Sequence, residues 1–318
     1  MSEPGVRVGI DVGGTKALGV VLDAAGSVVA EERRPTPRGE NSLGPLVDTL
    51  VDLAKELGVD GSLGIGVPGL VTRNGVLRAA PNLDGVAEFA VAELVGDRLG
   101  HPVSLDNDAT CATVAEWQLG AGQGASDLIL VTLGTGIGGG LVADGVLHRG
   151  RNGFAGEYGH MVVQPNGPRC PCGRRGCWER YASGSGLAML AREAATGRRL
   201  RSVVEHAGGD PQAVRGEHVQ AAAREGDEQA LAVIDDFGRW VALGLSNLTN
   251  AFDPEVFVLG GGLAEGAELY LEPITRWFGE LLYQPHLRPS PRIEFAEWGP
   301  LAGAVGAALL PGLVESAN

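Results

Sequence analysis

The stretch VRVGIDVGGTKALGVVLDAAGSVVAEE, Val6 to Glu32, decides the fold. Val6 to Asp11 is apolar enough to form a strand and runs into Gly13-Gly14-Thr15. A second apolar run, Leu18 to Leu22, follows, then a turn at Asp23–Gly26 and a third run, Val28 to Glu32. A tight turn with two glycines lets backbone N–H groups face an oxyanion, and the Thr15 hydroxyl adds a donor. Asp11 at the strand end can hold Mg²⁺, directly or through water. Lys16 places a cation beside the same turn. An ordinary glycine hairpin would read the same way, so this stretch alone leaves phosphate binding open.

The pattern restarts about 120 residues later. Leu128 to Leu133 is an apolar strand ending in Gly134-Thr135-Gly136. Gly140 to Ala143 reads as a second strand, with a turn at Asp144-Gly145 and a third strand after it. Two copies of strand, Gly-Thr turn, strand, turn, strand imply duplication of a whole domain. The run Gly134 to Gly139, with Gly138 inside it, formally matches G-x-G-x-x-G, but dinucleotide binding needs a helix next. A strand and a turn follow instead, Leu141 to Val146, so the motif is read as a second phosphate loop. G-x-x-x-x-G-K-[ST] does not occur in the chain, which excludes a P-loop NTPase.

Between the copies the chain alternates helix and strand. Leu43 to Leu57 has helical periodicity, Leu63 to Val67 is a short buried strand, and Val86 to Leu99 reads as a helix. Val103 to Leu105 is a strand running into Asp106-Asn107-Asp108, and Ala109 to Leu119 reads as a helix. A carboxylate where a strand hands over to a helix can serve as general base toward a phosphoryl acceptor. It can equally be the cap of the helix that starts at Ala109. Later, Glu228 to Phe252 is the longest helix, and Val256 to Leu259 leads into Gly260-Gly261-Gly262. Leu301 to Leu310 closes the chain as a helix.

Gly156-Glu157-x-x-His160 precedes Cys170-x-Cys172-Gly173-x-x-Gly176-Cys177-x-Glu179. Three cysteines and one histidine suit tetrahedral Zn²⁺, and four protein ligands close its shell, so the metal would be structural. The alternative, three buried thiols and a surface histidine, sits badly with the glycine and proline around them. Cys111 stands apart and fits a helix core. His101, His148, His206, His218 and His286 have no partners in sequence and read as surface or capping residues.

The 318 residues suit two domains, and 44% hydrophobic content suffices for two cores. A net charge of −14 argues against nucleic-acid and anionic-membrane partners. Met1 to Arg7 shows neither the basic nor the apolar region of a signal peptide, and no apolar run approaches a membrane span. The expectation is a cytoplasmic protein.

Together these residues resemble the ROK family of sugar kinases and repressors, over nearly the whole chain. The Cys-x-Cys-Gly-x-x-Gly-Cys-x-Glu element after Glu-x-x-His carries most of that resemblance. It implies an α/β fold of duplicated actin-like ATPase (ribonuclease H-like) domains in a hexokinase-type two-lobed architecture with an interdomain cleft. The lobes are expected at 1–108 plus 301–318 and at 109–300, the second carrying the zinc clip. The implied reaction is transfer of the ATP γ-phosphate to a hexose 6-hydroxyl, with Asp108 as base; within the family the pattern is closest to bacterial glucokinases. Asn82, Asn107, Asp108, Glu157, His160 and Glu179 are the implied sugar contacts. Mg·ATP falls to Asp11, Gly13, Gly14, Thr15, Lys16, Gly134, Thr135, Gly136, Gly138, Gly261 and Gly262. One Zn²⁺ per chain falls to His160, Cys170, Cys172 and Cys177. The implied assembly is a homo-oligomer, a dimer or a tetramer. The alternatives are a kinase for fructose, allose or N-acetylmannosamine, and a non-catalytic sugar sensor. Family repressors carry an N-terminal helix-turn-helix, whereas ten residues precede Asp11 here.

Overall fold

The structure is a computed structural model, and it describes residues 6–39, 41–80, 86–196 and 200–315. The first half contains β1 (Arg7–Val12), β2 (Lys16–Leu22), β3 (Val28–Pro35), α1 (Leu43–Glu56), β4 (Leu63–Val67), β5 (Leu70–Val71) and β6 (Leu77–Ala79). It continues with α2 (Val91–Leu99), β7 (Val103–Asn107) and α3 (Asp108–Leu119). The second contains β8 (Leu128–Leu133), β9 (Ile137–Ala143), β10 (Val146–Leu147), α4 (Glu179–Ala182), α5 (Gly184–Ala194), α6 (Arg201–His206) and α7 (Gly216–Arg224). Then come α8 (Glu228–Phe252), β11 (Val256–Gly260), α9 (Ala267–Leu281), β12 (Arg292–Phe295) and α10 (Ala302–Glu315).

The duplication is explicit in the sheets. One has the order β3-β2-β1-β4-β7 and the other β10-β9-β8-β11-β12. In the first, β1, β2 and β3 pair antiparallel and β4 and β7 are added in parallel beside β1; in the second, β9 and β10 pair antiparallel and β11 and β12 are added in parallel beside β8. The same strand order twice is what two copies of one ancestral unit require.

The chain divides into two compact units. One comprises Met1–Ser126, Gly140–Gly156 and Glu297–Asn318, the other Asp127–Gly139 and Glu157–Ala296. The boundary expected at residue 108 therefore moves, and α3 belongs with the first unit. Its partner is α10, whose sequence AGAVGAALL is almost all small residues. A Cβ on Gly306 of α10 would lie 1.6 Å from the Cys111 carbonyl oxygen of α3, so the two backbones touch. On its other side α10 lies on the sheet: a Cβ on Gly64 of β4 would lie 1.7 Å from the Ala307 carbonyl oxygen. Residues 140–156 join the first unit because Gly140 abuts Thr113 of α3 and Arg149 pairs with Asp106.

The first core gathers Ile10, Leu46, Leu50, Leu63, Ile65 and Val91, all fully buried. The second is built on aromatic side chains, Trp178, Phe237, Phe257, Tyr270 and Phe278. The helix expected from Val86 starts only at Val91, because Phe89 pairs with Leu77 in an isolated bridge and stays extended.

Candidate active site

Strand pairing assembles the carboxylates of the first unit. In parallel register Asp11 of β1 lies beside Gly66 of β4, and Gly66 beside Asp106 of β7. Asp11, Asp106, Asn107 and Asp108 thus gather at one edge of the sheet, where the strands end at their C-termini.

Asp11 is half-buried, and its Oδ1 is buried without a hydrogen-bond partner. Burial and the nearby Asp108 charge push its carboxyl up to about 7, with Lys16 pulling the other way. Gly303, in the first turn of α10, lies so close that a Cβ there would be 2.6 Å from this Oδ1. An orphaned carboxylate oxygen beside a second carboxylate is a cation's natural place.

The adjoining loop is a tight turn closed by Gly13 N–H to Lys16 O at 2.9 Å. Its carbonyls are all engaged. Thr36 holds two of them, its hydroxyl donating to Gly13 O (2.8 Å) and its N–H to Thr15 O (3.1 Å). Arg38 donates from Nε to Gly14 O at 2.7 Å. With the carbonyls held toward β3, the N–H face of the turn is what remains for an anion. Thr36 and Arg38 were not legible as functional residues, because nothing in Thr36-Pro37-Arg38 announces a partner more than twenty positions away.

Asn107 settles the capping question. Its Oδ1 accepts from Ala109 N–H (2.9 Å) and Thr110 N–H (3.2 Å), and its Nδ2 donates to Gly69 O (3.0 Å). It is therefore the N-cap, and α3 begins at Asp108 itself. Asp108 also accepts from Ala109 N–H at 2.9 Å, which fixes its rotamer at the helix start. Just upstream, Asp106 is buried and paired with Arg149, Nε to Oδ2 at 2.6 Å. Burial pushes the Asp106 carboxyl up to about 6, against the opposing pull of the guanidinium and the Asn107 N–H. Asn82 lies outside the described residues.

In the second unit the glycine run is half strand. β9 starts at Ile137, and the Gly138 N–H already donates to Thr132 Oγ1 at 3.0 Å. Gly138 is therefore part of the β8–β9 ladder's support, and the open part of the loop is Gly134-Thr135-Gly136. Gly134 O accepts from Gly184 N–H (2.7 Å), and Ser185 Oγ donates to Thr135 O (2.8 Å), so α5 braces this turn. Gly136 has a reason of its own to be glycine: a Cβ there would lie 2.8 Å from Glu179 Oε2. Gly261 has positive φ (+83°) and packs its backbone on Leu133 at the end of β8.

The cysteine motif folds as a clip. Cys170 N–H donates to Arg174 O, Gly173 N–H to Cys170 O, and Val162 pairs with Cys177. The donor atoms of His160, Cys170, Cys172 and Cys177 all lie within 4.8 Å of one another. Cys172 and Cys177 Sγ are 3.6 Å apart, and Cys170 Sγ is 3.9 Å from His160 Nδ1. Tetrahedral Zn–S bonds of about 2.3 Å need thiolates about 3.8 Å apart, so the donor set fits zinc. Nδ1 of His160 faces the thiols, while Nε2 lies 3.8 Å from Glu157. Glu179, at the start of α4, sits 3.7 Å from that Nδ1. Burial raises the Glu157 carboxyl pKa, opposed by His160 and reinforced by Glu179.

The family model described as ROK family matches residues 7–312. The chain belongs to the ROK family. Among ROK relatives, a glucokinase from Streptomyces coelicolor is 37% identical over 307 residues, covering 96% of each chain. An N-acetyl-D-glucosamine kinase from Pectobacterium atrosepticum is 36% identical over 314 residues, 95% of this chain and 97% of its own. Among solved structures, a ROK glucokinase from Streptomyces griseus in complex with glucose and AMPPNP superposes with a TM-score of 0.83. It is 37% identical, and the match covers 96% of this chain and 98% of that one. The two-lobed actin-like sugar kinase fold expected from the sequence is therefore the fold of this ROK protein. No helix among the described residues is long and apolar enough to cross a membrane.

Proposed function

We propose that this chain is an ATP-dependent glucokinase that transfers the γ-phosphate to the 6-hydroxyl of glucose. The observation that carries the reading is that Asp11 and Asp108 lie near enough at one sheet edge to feel each other's charge, in a chain 37% identical to a glucokinase whose structure holds glucose and AMPPNP. Asp108 is the general base: its carboxylate takes the 6-hydroxyl proton as the oxygen attacks phosphorus, and ADP leaves. Mg²⁺ arriving with ATP would be held by Asp11 and would neutralise phosphate charge. The turn at Gly13, Gly14, Thr15 and Lys16 and the turn at Gly134, Thr135 and Gly136 bind phosphate oxygens through the backbone N–H groups that turn closure leaves open, since those of Gly13 and Gly134 are spent on Lys16 O and Gly136 O. Gly261 and Gly262 pack against the nucleoside. Asn82, Asn107, Glu157, His160 and Glu179 orient the sugar hydroxyls. Asn107 retains one amide N–H for that task beyond the donor given to Gly69.

Zinc, where bound by His160, Cys170, Cys172 and Cys177, would supply structure alone, because four protein ligands fill its shell. Those residues hold the His160 ring so that Nε2 points away from the thiols. We assign the protein to the cytoplasm, where ATP is supplied, and expect a homo-oligomer, a dimer or a tetramer.

The test is ADP release measured across glucose, N-acetylglucosamine, fructose, allose and N-acetylmannosamine. Glucose should give the highest kcat/KM. A higher value for N-acetylglucosamine would shift the assignment to the activity named for the Pectobacterium relative. No ADP release with any sugar would leave a sugar sensor.

A further inference from the structure

The loop between β5 and β6 and the loop at residues 150–154, both in the first unit, enclose a cavity of about 500 Å³. Its walls include Arg73, Arg78, Arg151, Glu88, Asn152 and Phe154. None of these belongs to the nucleotide, sugar or zinc sets above. Three guanidinium groups thus face one carboxylate.

That carboxylate is already engaged. Glu88 Oε1 accepts from Arg78 Nε at 2.7 Å. Arg73 uses Nε on Gly150 O at 2.8 Å, which leaves its two terminal nitrogens. Among the described residues no carboxylate lies within ion-pair distance of Arg73 or Arg151. The cavity is held in shape by close backbone contact. Gly153 has φ +97°, and a Cβ there would lie 2.4 Å from Val71 O, so the second loop is pressed onto the first.

A surplus of two cations in a concave site matters in a chain of net charge −14, whose long-range field repels anions. Guanidinium forks match phosphate oxygens in pairs, and several converging on one dianion outdo a single exposed ion pair. Phe154 adds an apolar wall that suits a short carbon skeleton and offers nothing to a bare ion.

We propose that this cavity is a second ligand site, which binds a phosphate monoester of a small metabolite, of sugar-phosphate size, with Arg73 and Arg151 on the phosphate. Inorganic phosphate shares the charge chemistry, so the two sources are separated by affinity.

The experiment is calorimetry of the full chain with ribose 5-phosphate, a sugar phosphate that is not the product of the proposed reaction, and with inorganic phosphate. Wild type is compared with Arg151→Gln, Arg151→Lys and the Arg73→Gln/Arg151→Gln pair, each first checked for an unchanged melting curve. Both probes should bind, the ester about tenfold more tightly, about 1.4 kcal/mol. Arg151→Gln should weaken the ester about tenfold, Arg151→Lys less, and the double variant should abolish this binding while kcat for ATP-dependent phosphorylation is unchanged. Exposed Arg151, with no hydrogen bond or ion pair among the described residues, keeps the single variants informative if the double one misfolds. Wild-type binding of both probes by the Arg151 variants would overturn the site, as would no binding to wild type. Equal affinity for ester and inorganic phosphate would overturn the metabolite assignment. These outcomes are independent of which sugar is phosphorylated.

Discussion

Glu179 Oε1 lies 2.9 Å from Cys170 Sγ, at the edge of the cluster that fits zinc. Its other oxygen, Oε2, faces the backbone of Gly136 in the Gly134–Gly136 turn. One side chain therefore borders both the cysteine clip and the Gly134–Gly136 turn, and His160 faces the clip through Nδ1. Ligation fixes a histidine ring's tautomer and orientation. Cys172→Ser should leave a chain without zinc and without most of its glucose affinity, while nucleotide binding through Gly13–Thr15 persists. Elemental analysis and paired calorimetry of glucose and ATP read this out. A metal-free variant with wild-type glucose affinity would refute the coupling.

Asp108→Asn keeps the side chain's shape and its place at the start of α3, and removes its basicity. Asn107 continues to cap the helix, so the fold should hold. Turnover should fall about 10²–10⁴-fold, the usual worth of general-base catalysis. Glucose binding by calorimetry should change little. Turnover near wild type would show that another group takes the proton.

Asp106 and Arg149 supply a pH-dependent prediction. The Asp106 carboxyl sits at about 6 in the folded chain, above its ordinary 3.8, chiefly because it is buried, with Arg149 holding it down. Arg149→Gln removes that cation and drives the carboxyl higher still. A raised carboxyl pKa means that the folded state binds more protons than the unfolded one, so stability falls as pH rises through the window between the two values. The variant should therefore lose most at pH 8, about 3–5 kcal/mol for a buried charge without its partner. The deficit should shrink at pH 5, where Asp106 can be protonated. Adding Asp106→Asn should recover much of the loss at pH 8. Urea melts at both pH values decide it, and a deficit equal at pH 5 and pH 8 would contradict the assignment.

Local signals in the sequence carried far in some places and stopped short in others. Leu63–Val67, Leu128–Leu133 and Glu228–Phe252 form the elements expected over those same residues, because each is a long or unbroken apolar pattern. The repeated Gly-Thr turns foretold two sheets of one topology. The position of α3 was not legible, because its allegiance depends on Gly306 and the small residues of α10, almost 200 positions away. Gly138 reads like its loop neighbours, yet Thr132 on the adjacent strand claims its N–H. Arg149 carries no motif, and only the β9–β10 turn brings it to Asp106.

Glu116 makes the final case, and it concerns the joint between α3 and α10. It is fully buried, yet it has no cationic partner among the described ion pairs. Three backbone N–H groups serve it instead: Ala121 (3.1 Å) and Glu297 (3.1 Å) on Oε2, and Trp298 (2.8 Å) on Oε1. The carboxylate thus ends α3 and anchors the turn that launches α10, the helix whose Gly303 abuts Asp11. Glu116→Ala strands three donors, and each unsatisfied buried group costs about 1–3 kcal/mol. The expected loss is therefore several kcal/mol, or roughly 10 °C in Tm for a unit of this size. Glu116→Gln keeps one acceptor and turns an amide N–H toward backbone donors, so it should fall between Ala and wild type. Residual folded Glu116→Ala at low temperature should also show weakened Mg·ATP binding, since α10 no longer has a fixed start beside Asp11. Thermal melts of both variants, with nucleotide calorimetry at 10 °C, measure these effects. A Glu116→Ala protein that melts with wild type would mean that water replaces the carboxylate, and the joint would need another anchor.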